Sequence, residues 1–523
     1  MAPRPPAVIL VPAITVAAAM LLPIAYLVVR TAGAGEEALQ LLLRWRTLQV
    51  LGNTALLALT VTAATSAMGI ATGWLTVRTD LPLRRLWSVL LVLPLVVPSY
   101  VGGFVLVAAF GPRGMLQQLL AGPLGIERLP DIYGFPGAAL ALTLFSYPYV
   151  LLSVRGALGG MDPGPEEAAR SMGCSLRSTF SRVVLPQLRP SIAAGALLVA
   201  LYTLSDFGAV SLLQFESFTY QIYIQYQGSF DRTLAAVFSL VLVCLTVGVL
   251  VAENRARGRA RYYRSTVGSL RPPSVVPLGR WRWPALAFCG IIALSALALP
   301  ISVLAYWLAQ GLYAGAPLQL VWGPALNSMY ASGLATGAIA AAALPVAILA
   351  VRYHGPLGAL VERASYVGFA LPGIVVALAL VFFGIRFATP LYQTLAMLVF
   401  AYVVRFLPQA VGAARASLLQ VNPRMEEAAR SLGASFPQAI ALVTIPLIQR
   451  GLLAGSGLVF LTVMKELPAT LILSPIGFET LATSIWSATG EGFFARAAVP
   501  ALLLIVLSFI PMAFLTMREG SAE

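Results

Sequence analysis

Two runs in this chain, Glu166 to Ser171 and Glu426 to Ser431, spell the same acidic hexapeptide, Glu-Glu-Ala-Ala-Arg-Ser. Each follows a helix-start signal: Asp162-Pro163 and Asn422-Pro423 place a capping side chain ahead of a proline preorganised for the first turn. Glu166, Glu167, Glu426 and Glu427 then fall near the positive end of the helix dipole. Ala168, Ala169, Ala428 and Ala429 are strong helix formers with little bulk, and Gly173 and Gly433 stop or bend the helix. The chemistry on offer is recognition: a carboxylate to engage a basic or backbone donor, and alanines that permit close packing. A single copy reads equally well as a solvated interfacial helix. Two copies, each ending at a matching Leu185-Pro186 or Ile445-Pro446, favour a paired docking surface.

Other ionisable groups sit inside apolar stretches: Asp206 in "TLSDFGAV", and Lys465 and Glu466 in "VMKELPATLIL". A charge at the centre of a spanning helix costs about 2.5–3.5 kcal/mol on insertion scales, so these residues face the interior or lie near a helix end. Two readings stand: they line or gate a path, or they are polar contacts that hold two halves together. Adjacent residues on a helix point about 100° apart, so Lys465 does not simply neutralise Glu466, whose partner is expected across the interface between halves. Lys465 is also the only lysine. A phosphate-binding loop requires Gly-Lys-Ser/Thr, so the chain is read as a non-enzyme, and any ATP hydrolysis comes from a separate subunit. One histidine, His354, read as a loop residue, and the scattered Cys174, Cys244 and Cys289 suggest neither a metal site nor a disulfide framework. Tyr220, Tyr223 and Tyr226 are better explained by an aromatic belt at a membrane surface than by ligation of iron(III).

The elements that must position these residues are membrane spans. Of 523 residues, 59% are hydrophobic and 10% charged, against about 25% charged in a soluble domain. Twelve stretches approach or exceed the ~20 residues that cross a bilayer: 8–29, 53–77, 87–110, 137–158, 191–213, 233–252, 285–309, 328–351, 366–385, 391–411, 451–474 and 498–516. Long uniformly apolar spans are helices, because hydrocarbon leaves no partner for open backbone groups. The net charge of +14 follows the loops, densest in "ENRARGRARYYR" from Glu253 to Arg264. The positive-inside rule puts that patch and both termini in the cytoplasm and disfavours a nucleic-acid partner.

The chain is also duplicated. An offset of 260 aligns the hexapeptides and pairs Pro148 with Pro408, Gly173 with Gly433, Pro186 with Pro446 and Asp206 with Glu466. Upstream the offset is 274, pairing Asn53 with Asn327, Arg78 with Arg352 and Pro98 with Pro372; the difference between the offsets, 274 and 260, leaves 14 extra residues in an external loop of the first half. Equivalent points are six spans apart, so the repeats run parallel and both hexapeptides face the cytoplasm. The expected division is a first half over 1–253 with its core at 49–252, a basic linker over 254–283, and a second half over 284–523 with its core at 324–516.

These residues carry a family resemblance. Glu-Ala-Ala, three residues, Gly, nine residues, an aliphatic, one residue, then aliphatic-Pro is the EAA signature of ATP-binding-cassette (ABC) importer permeases. The chain matches it from Glu167 to Pro186, through Gly173 and Val183, and from Glu427 to Pro446, through Gly433 and Val443. The resemblance covers nearly the whole chain. It implies an all-α polytopic membrane protein of about twelve transmembrane helices, as two parallel six-helix type I (MetI-like) modules in a bacterial inner membrane. It further implies that Glu167, Ala168, Ala169, Gly173, Glu427, Ala428, Ala429 and Gly433 dock two copies of an ABC ATPase subunit, and that an extracytoplasmic binding protein delivers the cargo. No cofactor is implied. "SYPYVLLSVRGAL", "SDFGAVSLL" and "MKELPATLILSPIGFETLATSIW" resemble the iron(III) branch, although Tyr202 and Thr203 depart from it. Thiamine, phosphonate and polyamine importers are similar, and an ion-coupled secondary transporter with internal repeats is the alternative of a different class.

Overall fold

The computed structural model describes residues 5–33, 35–112, 114–125, 128–228, 233–257, 275–315, 321–353 and 355–520. Besides two helices of its own, Gly35–Leu42 and Met115–Leu124, the first repeat comprises α1 (Ala7–Ala32), α2 (Trp45–Arg78), α3 (Arg84–Leu90), α4 (Ser99–Phe110), α5 (Phe135–Gly159), α6 (Gly164–Ser171), α7 (Leu176–Ser205), α8 (Gly208–Leu212), α9 (Phe218–Gly228) and α10 (Thr233–Arg257). The second comprises α11 (Gly279–Tyr313), α12 (Trp322–Arg352), α13 (Pro356–Ser365), α14 (Gly373–Phe387), α15 (Leu395–Gln420), α16 (Arg424–Ser431), α17 (Phe436–Met464), α18 (Pro468–Leu473), α19 (Leu481–Gly490) and α20 (Phe494–Gly520). Each labelled helix of the first repeat has its counterpart ten labels on.

Among the described residues ten helices are long and apolar enough to cross a membrane, and the α13–α14 pair, bent by 106°, makes an eleventh if counted as one span. With the shorter apolar stretch Phe494–Phe509, they fall on the twelve stretches expected from sequence. Several are not the straight spans their hydropathy suggested. The stretch 87–110 divides at Pro98, which is extended (ψ 149°) ahead of α4, and 366–385 divides at Pro372 (ψ 144°) ahead of α14. Proline disfavours the helical region in the residue before it, so the turn cannot be carried through. The stretches 191–213 and 451–474 end at Ser205 and Met464, then resume as α8 and α18.

Two compact units form: one gathers 45–220 and 244–316, the other 1–44, 221–243 and 317–523. Each holds one hexapeptide, and the leading helix of each sequence half is grouped with the core of the other. In the second unit α1 packs on α12, α13 and α14, with the Tyr26 ring 6.1 Å from Phe387 and 6.3 Å from Phe383. In the first, α11 reaches α4, where Trp307 Nε1 donates to the Ala108 carbonyl at 3.3 Å. Lipid offers helices little hydrophobic reason to associate, so close approach through small residues does the work. A Cβ on Gly195 of α7 would lie 2.8 Å from Val150 Cα of α5, and one on Gly455 of α17 would lie 2.5 Å from Ala413 Cβ of α15.

Matched hydroxyls of α2 and α12 meet the starts of α9 and α19: the Phe218 amide donates to Thr54 Oγ1 at 3.1 Å, and the Leu481 amide to Ser328 Oγ at 2.8 Å. His354 and most of the expected linker, residues 258–274, lie outside the described residues. Where the chain is next described, Val276 bridges Thr79, its amide donating to the Arg78 carbonyl at 2.8 Å.

Candidate coupling site

The two hexapeptides form α6 and α16, eight residues each, built alike. Asp162 Oδ1 accepts from the Gly164 amide at 3.0 Å, and Asn422 Oδ1 from the Arg424 amide at 3.1 Å, so the side chains before the prolines satisfy amides that the first turn leaves open. Both helices end on a left-handed glycine, Gly173 at φ 85° and Gly433 at φ 95°. The Cys174 amide then donates back to the Ala169 carbonyl and the Ala434 amide to the Ala429 carbonyl, each at 3.1 Å, the closing bond of a Schellman end.

Adjacent glutamates part company. Glu167 and Glu427 are exposed, together with Ala168, Ala428, Gly173 and Gly433, whereas Ala169 is buried and Ala429 half-buried. Glu166 and Glu426 point the other way. Glu166 Oε2 lies 3.2 Å from Nη1 of the fully buried Arg78. Glu426 Oε1 accepts from Arg352 Nη2 at 2.8 Å and Nε at 3.1 Å, and from Thr444 Oγ1 at 3.0 Å. Each short helix is therefore fastened by its inner glutamate to the last residue of α2 or α12. Sequence reasoning missed this contact, although its signal was present in the pairing of Arg78 with Arg352. Beyond the spans, burial raises the Tyr353 phenol above its ordinary pKa; Arg430 opposes that shift and Glu426 adds to it.

After each glycine comes one wide π turn at the same position, Phe180–Val184 in α7 and Ile440–Thr444 in α17. The prolines two residues on, Pro186 and Pro446, supply no amide and crowd the carbonyl four residues back. A wide turn accommodates both effects, which gives the end of the repeated signature a structural cause.

The intramembrane candidates lie at the breaks and not at helix centres. Asp206 is buried just after α7, accepts from the Ser99 hydroxyl, and takes the Ala209 and Val210 amides at 3.0 and 3.3 Å. Glu466 is buried just after α17, accepts from Arg405 Nη1, and takes the Ala469 amide at 3.1 Å. The expectation that Glu466 finds its partner across the two halves is corrected: Arg405 belongs to α15 of the same unit. Lys465 is the half-buried residue that closes α17, so Lys465 and Glu466 do not share a helix turn. Asp206 and Glu466 are held by Ser99 and Arg405, and the short helices by Arg78 and Arg352, so different side chains serve the two kinds of site.

A duplicated multi-span bundle carrying one clasped surface helix per repeat defines a membrane transport component. The chain belongs to the binding-protein-dependent transport system inner membrane component family, whose sequence profile matches it twice, at residues 65–257 and 342–519. It is similar to the Fe(3+)-transport system permease protein FbpB 2 of Haemophilus influenzae, 33% identical over 98% of both chains. It is also similar to the ferric transport system permease protein FbpB of Actinobacillus pleuropneumoniae, 25% identical over 92% of this chain and 73% of that one. The molybdenum transport system permease protein ModB of Escherichia coli is 36% identical over 27% of this chain and 60% of its own length.

Proposed function

We propose that this chain is the permease of an ABC importer, with both pore halves in one polypeptide, moving ferric iron across the bacterial inner membrane. Two ATPase subunits dock on α6 and α16 through Glu167, Ala168 and Gly173 and through Glu427, Ala428 and Gly433. The buried Ala169 and the half-buried Ala429 set these helices close against the bundle. The hexapeptides and both termini face the cytoplasm, and an extracytoplasmic binding protein delivers the cargo on the other side. The observation that carries this reading is the pair of identically built helices, each presenting an acidic, alanine-lined face outward while its inner glutamate is held by a span. Iron is favoured because the relative matched over 98% of both chains is named for Fe(3+) transport. Asp206, Lys465 and Glu466 belong to the translocation path through the backbone breaks that they cap or close.

The test is reconstitution of the chain with its ATPase and iron-loaded binding protein. Reversing both outer charges, Glu167→Arg with Glu427→Arg, lowers iron uptake by about tenfold or more, as loss of a central interface contact does, while the chain still reaches the membrane. Undiminished uptake, or uptake by the chain alone under an ion gradient, overturns the proposal.

A further inference from the structure

A docked helix moves a span only if it is fixed to that span. Eight residues between two loops do not hold a helix rigid by themselves, since isolated helices this short are marginal in water. The outer glutamates face away from the bundle, so the fixing falls to the inner ones. In the second repeat Glu426 joins three elements: α16, the foot of α12 through Arg352, and the wide turn of α17 through Thr444. Arg352 Nη2 also donates to the Val421 carbonyl at 3.2 Å, ahead of α16. In the first repeat the arrangement is thinner. Val184 stands where Thr444 does, and among the described residues Glu166 meets Nη1 of Arg78 alone, while Nε and Nη2 of that buried guanidinium find no hydrogen-bond partner there.

We infer that Glu166 and Glu426 are positioning residues that make α6 and α16 move as one body with α2 and α12, and that the clasp of the second repeat is the stiffer of the two. The inference rests on the proposed docking of ATPase subunits. A buried carboxylate and guanidinium resist separation because breaking them leaves an uncompensated charge in a low-dielectric surrounding, and this holds for both pairs, Arg78 with Glu166 being the more buried. What separates the clasps is their hydrogen bonds: Glu426 accepts three, from two elements, where Glu166 accepts one. The second repeat therefore transmits displacement where the first yields, and the wide turn brings α17 into the same clasp.

The experiment uses the complete transporter in proteoliposomes and reads three quantities: ATPase copurified with the chain, ATP hydrolysed, and iron taken up per ATP. Failure of the unaltered chain to retain any ATPase defeats the proposed function itself, separately from this inference. With the ATPase retained, Glu426→Gln is expected to lower uptake per ATP about tenfold, and Glu166→Gln about threefold. Thr444→Val keeps the shape of the side chain and removes one hydrogen bond, making the second clasp resemble the first; uptake per ATP is expected to fall about threefold while hydrolysis continues. If Glu426→Gln fails to assemble, Thr444→Val decides alone. Uptake per ATP that is unchanged in Thr444→Val, or hydrolysis and uptake that fall together at constant ratio, overturns the inference.

Discussion

At the break after α7, Asp206 is held by the Ser99 hydroxyl; at the matching break after α17, Glu466 is held by the Arg405 guanidinium. Both carboxylates also accept a backbone amide three residues on, from Ala209 and Ala469. Both residues lend their carbonyl to a threonine hydroxyl at 2.6 Å, Thr219 in one repeat and Thr470 in the other. The threonines are not equivalent positions, one standing 13 residues on and the other four, but the cap on the amide three residues on is shared, and the side-chain donor differs in kind. Gly373 stands where the first repeat has Ser99, and Phe145 where the second has Arg405. A Cβ on Gly373 would run into Arg405 Nη1 and Glu466 Oε1, so the missing side chain is what admits the guanidinium. The duplication kept the break and exchanged a neutral donor from α4 for a cationic one from α15.

The largest effect follows from breaking the cationic version. Arg405→Met leaves Glu466, whose side chain is 5% exposed, without its cation, and removing one partner of a buried pair costs about 3–5 kcal/mol. Thermal unfolding of the purified chain in detergent should show a large drop in Tm. The double change Arg405→Met with Glu466→Gln should recover most of it, since an apolar or neutral replacement of the whole pair is often tolerated. A single change that costs less than about 1 kcal/mol would remove the distinction between the two repeats, because that is the scale of one ordinary hydrogen bond.

Ser99→Ala is the matching change in the first repeat and a smaller one. The carboxylate of Asp206 loses a hydroxyl but keeps the Ala209 and Val210 amides, so the expected cost is about 1–3 kcal/mol, read by the same melts. The order of the two variants is the sharper measurement: Ser99→Ala as costly as Arg405→Met would mean that the hydroxyl and the guanidinium do equivalent work.

Much of this was legible in the sequence, for reasons that particular residues make plain. The hexapeptides, the proline and glycine punctuation and the 260-residue register pointed to paired surface helices, because caps and left-handed glycines act within a few residues of themselves. The signature singled out Glu167 and Glu427 for docking, but the anchoring task of Glu166 was not legible, since adjacent glutamates have the same chemistry. It is decided by Arg78, 88 residues away from Glu166 in the chain. The breaks at Asp206 and Glu466 were also hidden, because hydropathy runs unbroken through them and the acidic side chain itself satisfies the amides that the break exposes. Arg405 lay within an apolar stretch, and a lone basic residue there should prompt a search for its acid.

The smallest effect lies in a third pair of matched contacts, between α3 and α5 and between α13 and α15. Arg155 Nη1 donates to the Ser88 carbonyl at 3.0 Å, and its counterpart Arg415 meets Glu362 with Nε 3.0 Å from Oε1. Here the second repeat again has a charge where the first has a neutral acceptor, but the setting is different. The Arg415 side chain is 46% exposed and Glu362 25% exposed, along a cavity of about 280 Å³ that Tyr353 and Leu419 also line. Water and salt reach such a pair, so it contributes about 0–1 kcal/mol, and near 0.1 M salt the Debye length is already only about 10 Å. Glu362→Gln should therefore shift the melting transition slightly at low ionic strength and hardly at all at high ionic strength. A loss as large as that of Arg405→Met, or one indifferent to salt, would mean that burial does not decide which of the charges in the second repeat matter.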